Sequence, residues 1–372
     1  MVDDEGTPTA VYTGIVDDPR TATIVLARAE DDRLRRWEKV PEPVAGPPRD
    51  LAGFRDPFLF DLDGHRYAVV GAGGTDGTAE VLVYRCDDLL RWEYAGALLT
   101  GADEVAGIHA PAEIWECPQL FRLADRWVLV LSLVRHDGLT RVAYLVGDVT
   151  LRDGAPRFLP TSGGLVDHGH DFYAPAVLVE EERVLLWGWS WEDRDPDEVL
   201  AAGWAGALTW PRVLELAEDD RLTSRPAPEL EGLRRDSAEL TAGHDQSPAP
   251  LPPGPVEVLL AVDPTTSVRL QRGRSGLALD IDVEQRRVVL TRPPVDPARS
   301  SWATEGAVAG TGPVDLRLVL DGSVVEAYVA GGPVFTERVY PSGDDPWMLS
   351  VRSEGAGSCL VTVTRLGTAV EH

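Results

Sequence analysis

The chain has 372 residues, 44% of them hydrophobic, with 36 glycines and 29 prolines, and its formal net charge is -26 with Lys39 as the only lysine. This composition is typical of a turn-rich globular protein, and the acidic charge repels phosphate backbones and anionic lipid surfaces, so we expect neither a nucleic acid nor a membrane as a partner. The three scattered cysteines are too few for a disulfide framework or a cysteine-based zinc site, and the first residues lack a signal-peptide pattern, so we expect a cytoplasmic protein.

An internal repeat organises the first part of the chain. The segment Asp31–Glu38 recurs in shortened form as Asp87–Glu93, and the tryptophans of the two copies, Trp37 and Trp92, are 55 residues apart. Each copy follows a strand-like run and precedes a loop, and the period suits one four-stranded propeller blade. Strand-like runs continue with almost no helical periodicity, which predicts a β-propeller domain over residues 1–235.

Two short acidic motifs lie within this domain, Arg55-Asp56-Pro57 and Glu116-Cys117-Pro118. An apolar run follows each motif, and we expect each proline to take the first position of a strand, where its missing N–H costs no ladder hydrogen bond. Taken alone, either motif could be an ordinary turn or ion pair. Together they place two carboxyl groups at strand entrances, and a carboxyl pair with separate roles is what glycosidic bond cleavage requires.

The segment Asp167–Asp171 contains two histidines separated by one glycine, an alternation that could place both on one face of a strand as metal ligands. Because a third convergent ligand is missing from the pattern, we predict a polar loop and no metal, with Asp171 and Tyr173 at the rim of a substrate pocket. Three tryptophans at positions 187, 189 and 191 could stack on sugars, but core packing is the favoured interpretation for them. Trp115, beside Glu116, is the preferred sugar platform.

The composition changes near the end of the propeller region. A proline-rich stretch predicts a linker over residues 236–255, and residues 256–372 show the apolar-polar alternation of a β-sandwich. Within that region Leu316–Leu320 and Val324–Tyr328 flank Asp321-Gly322-Ser323, which predicts a β-hairpin.

The motifs resemble, in order, those of glycoside hydrolase family 32, the β-fructosidases. The segments that carry the resemblance are Tyr12-Thr13-Gly14, Trp37-Glu38-Lys39, Phe54–Pro57, Trp115–Pro118, Tyr144–Asp148, Asp167–Pro175, Gly203–Gly206 and Pro211-Arg212. The resemblance implies an all-β fold, a five-bladed β-propeller followed by a β-sandwich. It also implies that Glu116 is the general acid/base, that Arg55 and Asp56 bind fructose hydroxyls, that Asp56 stabilises the transition state, and that no cofactor is needed.

One feature of the family has no counterpart in this sequence. Family members carry their nucleophile in an Asn-Asp-Pro-type motif on the first blade, upstream of every matching segment. We therefore expect the first blade to be missing or incomplete and the chain as given to hydrolyse sucrose poorly or not at all. Asp18, in Asp17-Asp18-Pro19, is the nearest substitute, although Asp-Pro is ordinary turn chemistry.

Three functions follow from this pattern. The leading one is a hydrolase that releases terminal β-fructofuranosyl units from sucrose or fructans with retention of configuration. The second is a non-catalytic relative that binds fructosides, and the third is a propeller glycosidase acting on arabinose or xylose units. The sequence leaves open the choice among sucrose, levan and inulin, as well as the oligomeric state.

Overall fold

The structure, a computed structural model, describes residues 6–16, 21–136, 138–242, 247–262, 265–292, 302–308, 312–341, 343, 345–353 and 359–367. The chain divides into two compact units. Unit 1 consists of residues 1–166, 174–179 and 218–222, and unit 2 consists of residues 167–173, 180–217 and 223–372. Asp18 lies outside the described residues, so its predicted alternative role stays a prediction.

Unit 1 contains three antiparallel sheets that follow each other along the chain. The first has three strands: β1 (Thr9–Gly14), β2 (Thr23–Ala29) and β3 (Trp37–Lys39). The second has four: β4 (Leu51–Leu62), β5 (His65–Gly74), β6 (Ala79–Asp88) and β7 (Arg91–Thr100). After the helix α1 (Glu104–His109), the third has β8 (Ile114–Leu123), β9 (Arg126–Arg135), β10 (Gly138–Arg152) and β11 (Ala155–Leu165). Strands adjacent in sequence are adjacent in each sheet, as in propeller blades.

The internal repeat predicted from the sequence is confirmed by equivalent side-chain contacts. The indole Nε1 of Trp37 donates to the carbonyl oxygen of Leu34, and that of Trp92 donates to Leu89, each at 2.9 Å. Both tryptophans lie on the last strand of their sheet, β3 and β7. The two segments therefore form the same turn in successive blades.

Glycines let the second and third sheets pack closely. A Cβ at Gly71 would lie 2.4 Å from the carbonyl oxygen of Trp115, and one at Gly73 would lie 2.5 Å from that of Glu113. Both glycines are on β5, and the carbonyls belong to the first residues of β8 and the residue just before it, so the backbones approach to a distance that a side chain would prevent.

Unit 2 contains most of the fourth group of propeller strands. The elements of this group are β12 (Tyr173–Val179), β13 (Val184–Ser190), α2 (Pro196–Ala202), β14 (Ala207–Leu208), β15 (Arg212–Leu216) and β16 (Leu222–Pro226), followed by a 3-10 helix (Pro228–Leu233). Strand β13 pairs antiparallel with β14 and β15.

The β-sandwich predicted for the C-terminal region is also confirmed. Its strands are β17 (Arg234–Ala242), β18 (Ala249–Pro250), β19 (Val256–Val262), β20 (Thr265–Arg272), β21 (Ser275–Asp282), β22 (Arg287–Arg292), β23 (Trp302–Ala307), β24 (Val314–Asp321), β25 (Val324–Val329), β26 (Val334–Arg338), β27 (Met348–Ser353) and β28 (Cys359–Leu366). The first sheet has the order β17-β28-β19-β24-β25-β26, and the second has the order β18-β27-β20-β21-β22-β23. A continuous apolar core, with Val258, Leu279, Leu318 and Phe335 fully buried, includes side chains from both sheets.

The predicted hairpin is present, whereas strands occupy part of the segment predicted as a linker over residues 236–255. Asp321 pairs with Val324 at the hairpin turn, where Gly322 has φ of 58°. Strand β17 extends to Ala242 and pairs with β28, and β18 pairs with β27. Proline enrichment misled the prediction because Pro250 lies in a strand at the edge of its sheet, where a residue without an N–H is tolerated.

A fully buried ion network in unit 2 joins β15 to the sandwich. The guanidinium of Arg212 donates to Asp167 at 2.7 Å and to Glu326 at 2.5 Å, and it also donates to the hydroxyl of Thr336. Tyr328 donates its own hydroxyl to Glu326 at 2.6 Å. Each charge has an opposite partner, which is the condition under which buried charges are tolerated.

Neither α-helix in the described part of the chain is long and apolar enough to cross a membrane.

Candidate active site

The two acidic motifs lie at equivalent bulges in consecutive blades. The pairing of β4 with β5 shifts register between Arg55 and Phe58, and that of β8 with β9 shifts between Glu116 and Gln119. We expected the motifs at strand starts, and this detail is wrong, since both strands begin several residues earlier. A bulge leaves a residue unpaired, so proline fits there without the loss of a ladder hydrogen bond, and bulges commonly redirect side chains beside active sites.

The residue before each proline has a backbone conformation that L-residues rarely adopt. Asp56 has φ of 61° and Cys117 has φ of 47°. Ala174, which precedes Pro175 near the start of β12, repeats the pattern with φ of 43°. Tyr173 therefore lies two residues before the proline of the third motif, as Arg55 and Glu116 do in the first two motifs.

Asp56 is held by the two strands beside it in unit 1. Its Oδ2 accepts hydrogen bonds from the backbone N–H of Cys117 at 3.0 Å and from the Cys117 thiol at 3.4 Å. Its own N–H donates to the hydroxyl of Thr13 on β1 at 2.8 Å. Thr13 and Cys117 were not among the predicted site residues, although each lies inside a matching motif.

The Cys117 thiol acts as a donor because it stays protonated. Burial raises the pKa of this thiol well above its usual range, and the negative charge of Asp56 raises it further. The S–H group thus supplements the backbone N–H in fixing the Asp56 carboxylate.

Arg55 and Glu116 form an ion pair that joins the two motifs. The guanidinium Nη1 lies 2.8 Å from Oε1 of Glu116, and the two side chains are 26% and 13% exposed. Partial burial makes such a pair stronger than an exposed one while leaving the groups within reach of a ligand. The fold therefore brings together residues that are up to 61 positions apart in the chain. They form one hydrogen-bonded cluster of Arg55, Asp56, Glu116 and Cys117.

Trp115 does not form a sugar platform, so that prediction is wrong. Its side chain is fully buried in the core of unit 1, and its indole N–H donates to the carbonyl oxygen of Ala110 at 2.9 Å. Alternation along β8 explains this outcome, because adjacent residues on a strand point to opposite faces, so Trp115 and Glu116 cannot both face a ligand.

Asp171 lies in unit 2 and is fully buried, so the prediction that it shapes a pocket rim is wrong. Its carboxylate accepts hydrogen bonds from His170, Trp191 and the backbone N–H of Arg338, and it contacts Arg292 at 3.2 Å. Burial opposes the charged form, but the hydrogen bond from His170 and the charge of Arg292 lower the pKa of Asp171.

Tyr173 also lies in unit 2, with its ring stacked on Trp191 at a centroid distance of 5.4 Å. The side chain is 2% exposed. Its assignment to substrate binding stays a prediction, supported by its position before Ala174-Pro175, where the positive φ of the other two motifs recurs.

The two histidines considered as metal ligands contact different groups. Nδ1 of His168 contacts the carbonyl oxygen of Glu305 at 3.0 Å, whereas Nδ1 of His170 contacts Asp171 at 2.7 Å. His170, Asp171 and Asp193 do place ligand atoms within 4.8 Å of one another. The cation that contacts both of these carboxylates is Arg292, at 3.2 and 3.1 Å, so the geometry gives no reason to assign a metal ion.

Comparison with known proteins places these features in a family. The family model for the N-terminal domain of glycosyl hydrolases family 32 matches residues 1–226, and the model for the C-terminal domain of the same family matches residues 261–365. A sucrose-6-phosphate hydrolase of Zymomonas mobilis is 28% identical, over 92% of this chain and 72% of its own length. A raffinose invertase of Escherichia coli is 30% identical, over 92% of this chain and 74% of its own length.

A solved structure shares the fold of the whole chain. The GH32 beta-fructofuranosidase BmSUC1 of Bombyx mori superposes with a TM-score of 0.80 at 25% identity, over 99% of this chain and 79% of its own. A mutant of that enzyme has been solved in complex with sucrose.

Proposed function

The chain belongs to glycosyl hydrolases family 32, and we propose that it removes terminal β-fructofuranosyl units from sucrose or fructans by a retaining mechanism. The observation that carries this proposal is the cluster in unit 1. It contains two carboxyl groups from equivalent bulges, Asp56 and Glu116. Arg55, next to Asp56, bonds to Glu116, and Cys117, next to Glu116, donates to Asp56. Glycosidic cleavage needs carboxyl groups with different tasks, and the two have different surroundings here.

The surroundings suggest the division of tasks. Glu116 gives a proton to the glycosidic oxygen as the bond breaks, and Arg55 holds its carboxyl group in place. Asp56, fixed by the donors of Cys117, carries negative charge toward the oxocarbenium-like fructosyl group that develops in the transition state. A retaining mechanism also needs a nucleophilic carboxylate, which we assign to none of the described residues of unit 1.

The names of the relatives support a fructoside as substrate. They include sucrose-6-phosphate hydrolases, invertases and beta-fructofuranosidases, and one structural relative was solved with sucrose. The phosphorylated and the free sugar should therefore both be tested. A cytoplasmic location and action without a cofactor stay predictions.

The test first measures glucose release from sucrose by the parent chain and by a version extended upstream, since the missing nucleophile motif predicts a low rate for the parent. In the form that turns over, it then compares two isosteric substitutions on substrates with poor and good leaving groups. Glu116→Gln cannot donate the proton, so kcat on sucrose should fall by about 10²–10⁴, and it should fall much less on an activated aryl fructoside. Asp56→Asn removes charge from the developing oxocarbenium centre, so the rate should fall for both substrates. Glu113→Gln, at an exposed carboxyl group three residues before Glu116, is the matched control and should leave both rates unchanged.

Two outcomes would contradict the proposal. Equal losses of Glu116→Gln on both substrates would mean that Glu116 is not the acid. A folded chain that binds fructosides in calorimetry but releases no glucose from sucrose or sucrose 6-phosphate would instead be the non-catalytic relative.

A further inference from the structure

The outer face of the second sandwich sheet carries two adjoining clefts. One has a volume of about 500 Å³ and the other of about 330 Å³, and Arg269 and Asp280 line both. The lining comes from β20, β21, β22 and β27, all within unit 2. The clefts therefore form one groove across neighbouring strands, in the size range of small-ligand sites.

The strand register places polar groups side by side along this groove. Ser267 pairs with Arg352 on β27 and with Asp280 on β21, and Arg269 follows two residues after Ser267. Because alternate residues share a face and paired residues point the same way, these four side chains belong to one surface.

The polar groups of this surface lack partners within the part of the chain that the structure describes. The side chains of Arg269, Arg352 and Asp280 form no hydrogen bond or ion pair there, and the buried hydroxyl oxygen of Ser267 has no partner. A third arginine of the larger cleft, Arg287, is already paired with Glu305 at 2.5 Å. Arg269, Arg352 and Asp280 are exposed, so water solvates these donors and this acceptor, and they are available to a ligand that offers both an acceptor and a donor.

Sugar hydroxyl groups offer both a donor and an acceptor, so they match this mixture. An anionic ligand fits less well, because Asp280 and Asp282 offset Arg269 and Arg352 in the larger cleft. The third arginine of that cleft is paired with Glu305, and the chain carries a net charge of -26. Partly exposed Ala278 and Val289 supply small apolar contacts for the C–H faces of a sugar ring. None of the described lining residues is aromatic, so binding of a single sugar should be weak, and a polymer should gain from contacting the groove at several units.

We propose that this groove is an anchoring site for a neutral polysaccharide built of fructofuranosyl units, with Arg269, Arg352 and Asp280 as its polar contacts. The choice of fructan rests on the proposed function, whereas the preference for a neutral polyhydroxylated chain rests on the groove itself. Such a site raises the local concentration of polymer around the protein and has no effect on sucrose.

The experiment is native affinity electrophoresis of the full chain in gels containing levan or inulin. The parent protein should be retarded, and a variant carrying Arg269→Ala and Arg352→Ala should bind at least about tenfold more weakly, because two charged donors are lost. Arg365→Ala removes a half-exposed arginine from the other sheet and should behave as the parent. Thermal unfolding of each variant verifies that it is folded, and sucrose turnover should match the parent.

The outcomes separate this inference from the proposed function, because retardation needs no turnover. A chain that hydrolyses sucrose but is not retarded, or whose double variant is retarded equally, overturns the anchoring site alone. A chain that is retarded through Arg269 and Arg352 but hydrolyses nothing supports the site while the proposed function fails. Retardation by dextran sulfate alone, abolished by salt, would identify an anion site and overturn the assignment to neutral sugars.

Discussion

At the level of single residues, Asp56 keeps its conformation because neighbouring groups compensate for it. A left-handed backbone costs an L-residue about 1–2 kcal/mol. The hydroxyl of Thr13 accepts the Asp56 N–H, and Cys117 donates twice to the carboxylate, so both ends of the residue are fixed. A carboxylate held before substrate arrives needs no reorganisation during the reaction.

Thr13 is therefore a positioning residue that acts through Asp56. Thr13→Val keeps the shape but removes the acceptor, so the free energy of unfolding should fall by about 1 kcal/mol, and kcat/KM should fall by up to about 10²-fold through misplacement of the carboxylate. Thr13→Ser, which retains the hydroxyl, should restore kcat/KM. If Thr13→Val lowers the melting temperature while kcat/KM stays at the parent value, Thr13 contributes to stability only.

At the level of elements, the site depends on how closely two blades approach. The beginning of β8, which carries Glu116, runs against Gly71 and Gly73 of β5, and Gly71 itself pairs with Arg55. Any side chain on these glycines would separate the strands that bear Arg55 and Glu116. Their ion pair thus requires glycine on a strand that contributes no catalytic group.

Gly71→Ala tests this dependence. The added Cβ would meet backbone at 2.4 Å, so β8 must move, and we expect a loss of about 1–3 kcal/mol in unfolding free energy together with a lower kcat. Gly138→Ala is the control, since a Cβ there meets nothing within 4 Å. Equal melting temperatures and rates for the two variants would show that the close approach is not required.

The sequence predicted which strands and turns form better than it predicted where they end and what they pack against. The bulge motifs, the hairpin at Gly322 and the tryptophan repeat were recognised because each depends on residues close together in the chain. The start of the linker predicted over residues 236–255 was misplaced because pairing of β17 with β28 joins segments more than 110 residues apart. The prediction for Trp115 failed although strand alternation already places it on the face opposite Glu116, and that face packs in the core of unit 1.

At the scale of the whole molecule, buried charges connect segments matched by the two family models. Arg212 contacts Glu326 across 114 residues, and Thr336 contacts Asp167 across 169 residues, all within unit 2. A second group surrounds Asp171, Glu337 and Arg292. These contacts could not be predicted, because a lone Asp or Glu in a sequence gives no information about a distant arginine.

Glu337 makes the stability of unit 2 depend on pH. Burial, followed by the charge of Asp171, raises the pKa of Glu337 from 4.5 to about 8, while its Oε1 accepts the backbone N–H of His170. The folded state then binds more protons than the unfolded state between these two values. The stabilising contribution is complete below about 4.5 and is lost as the pH rises to about 8, with a slope of at most about 1.4 kcal/mol per pH unit.

Glu337→Gln removes this titration while keeping a neutral side chain of the same shape. Denaturant unfolding should show the variant gaining stability relative to the parent as the pH rises from 5 to 8, since only the parent must ionise a buried acid over that range. Glu239→Gln, at an exposed position on β17, should follow the parent at every pH. A constant difference between Glu337→Gln and the parent across this range would mean that Glu337 is already charged at the lower pH, with Arg292 as its counterion.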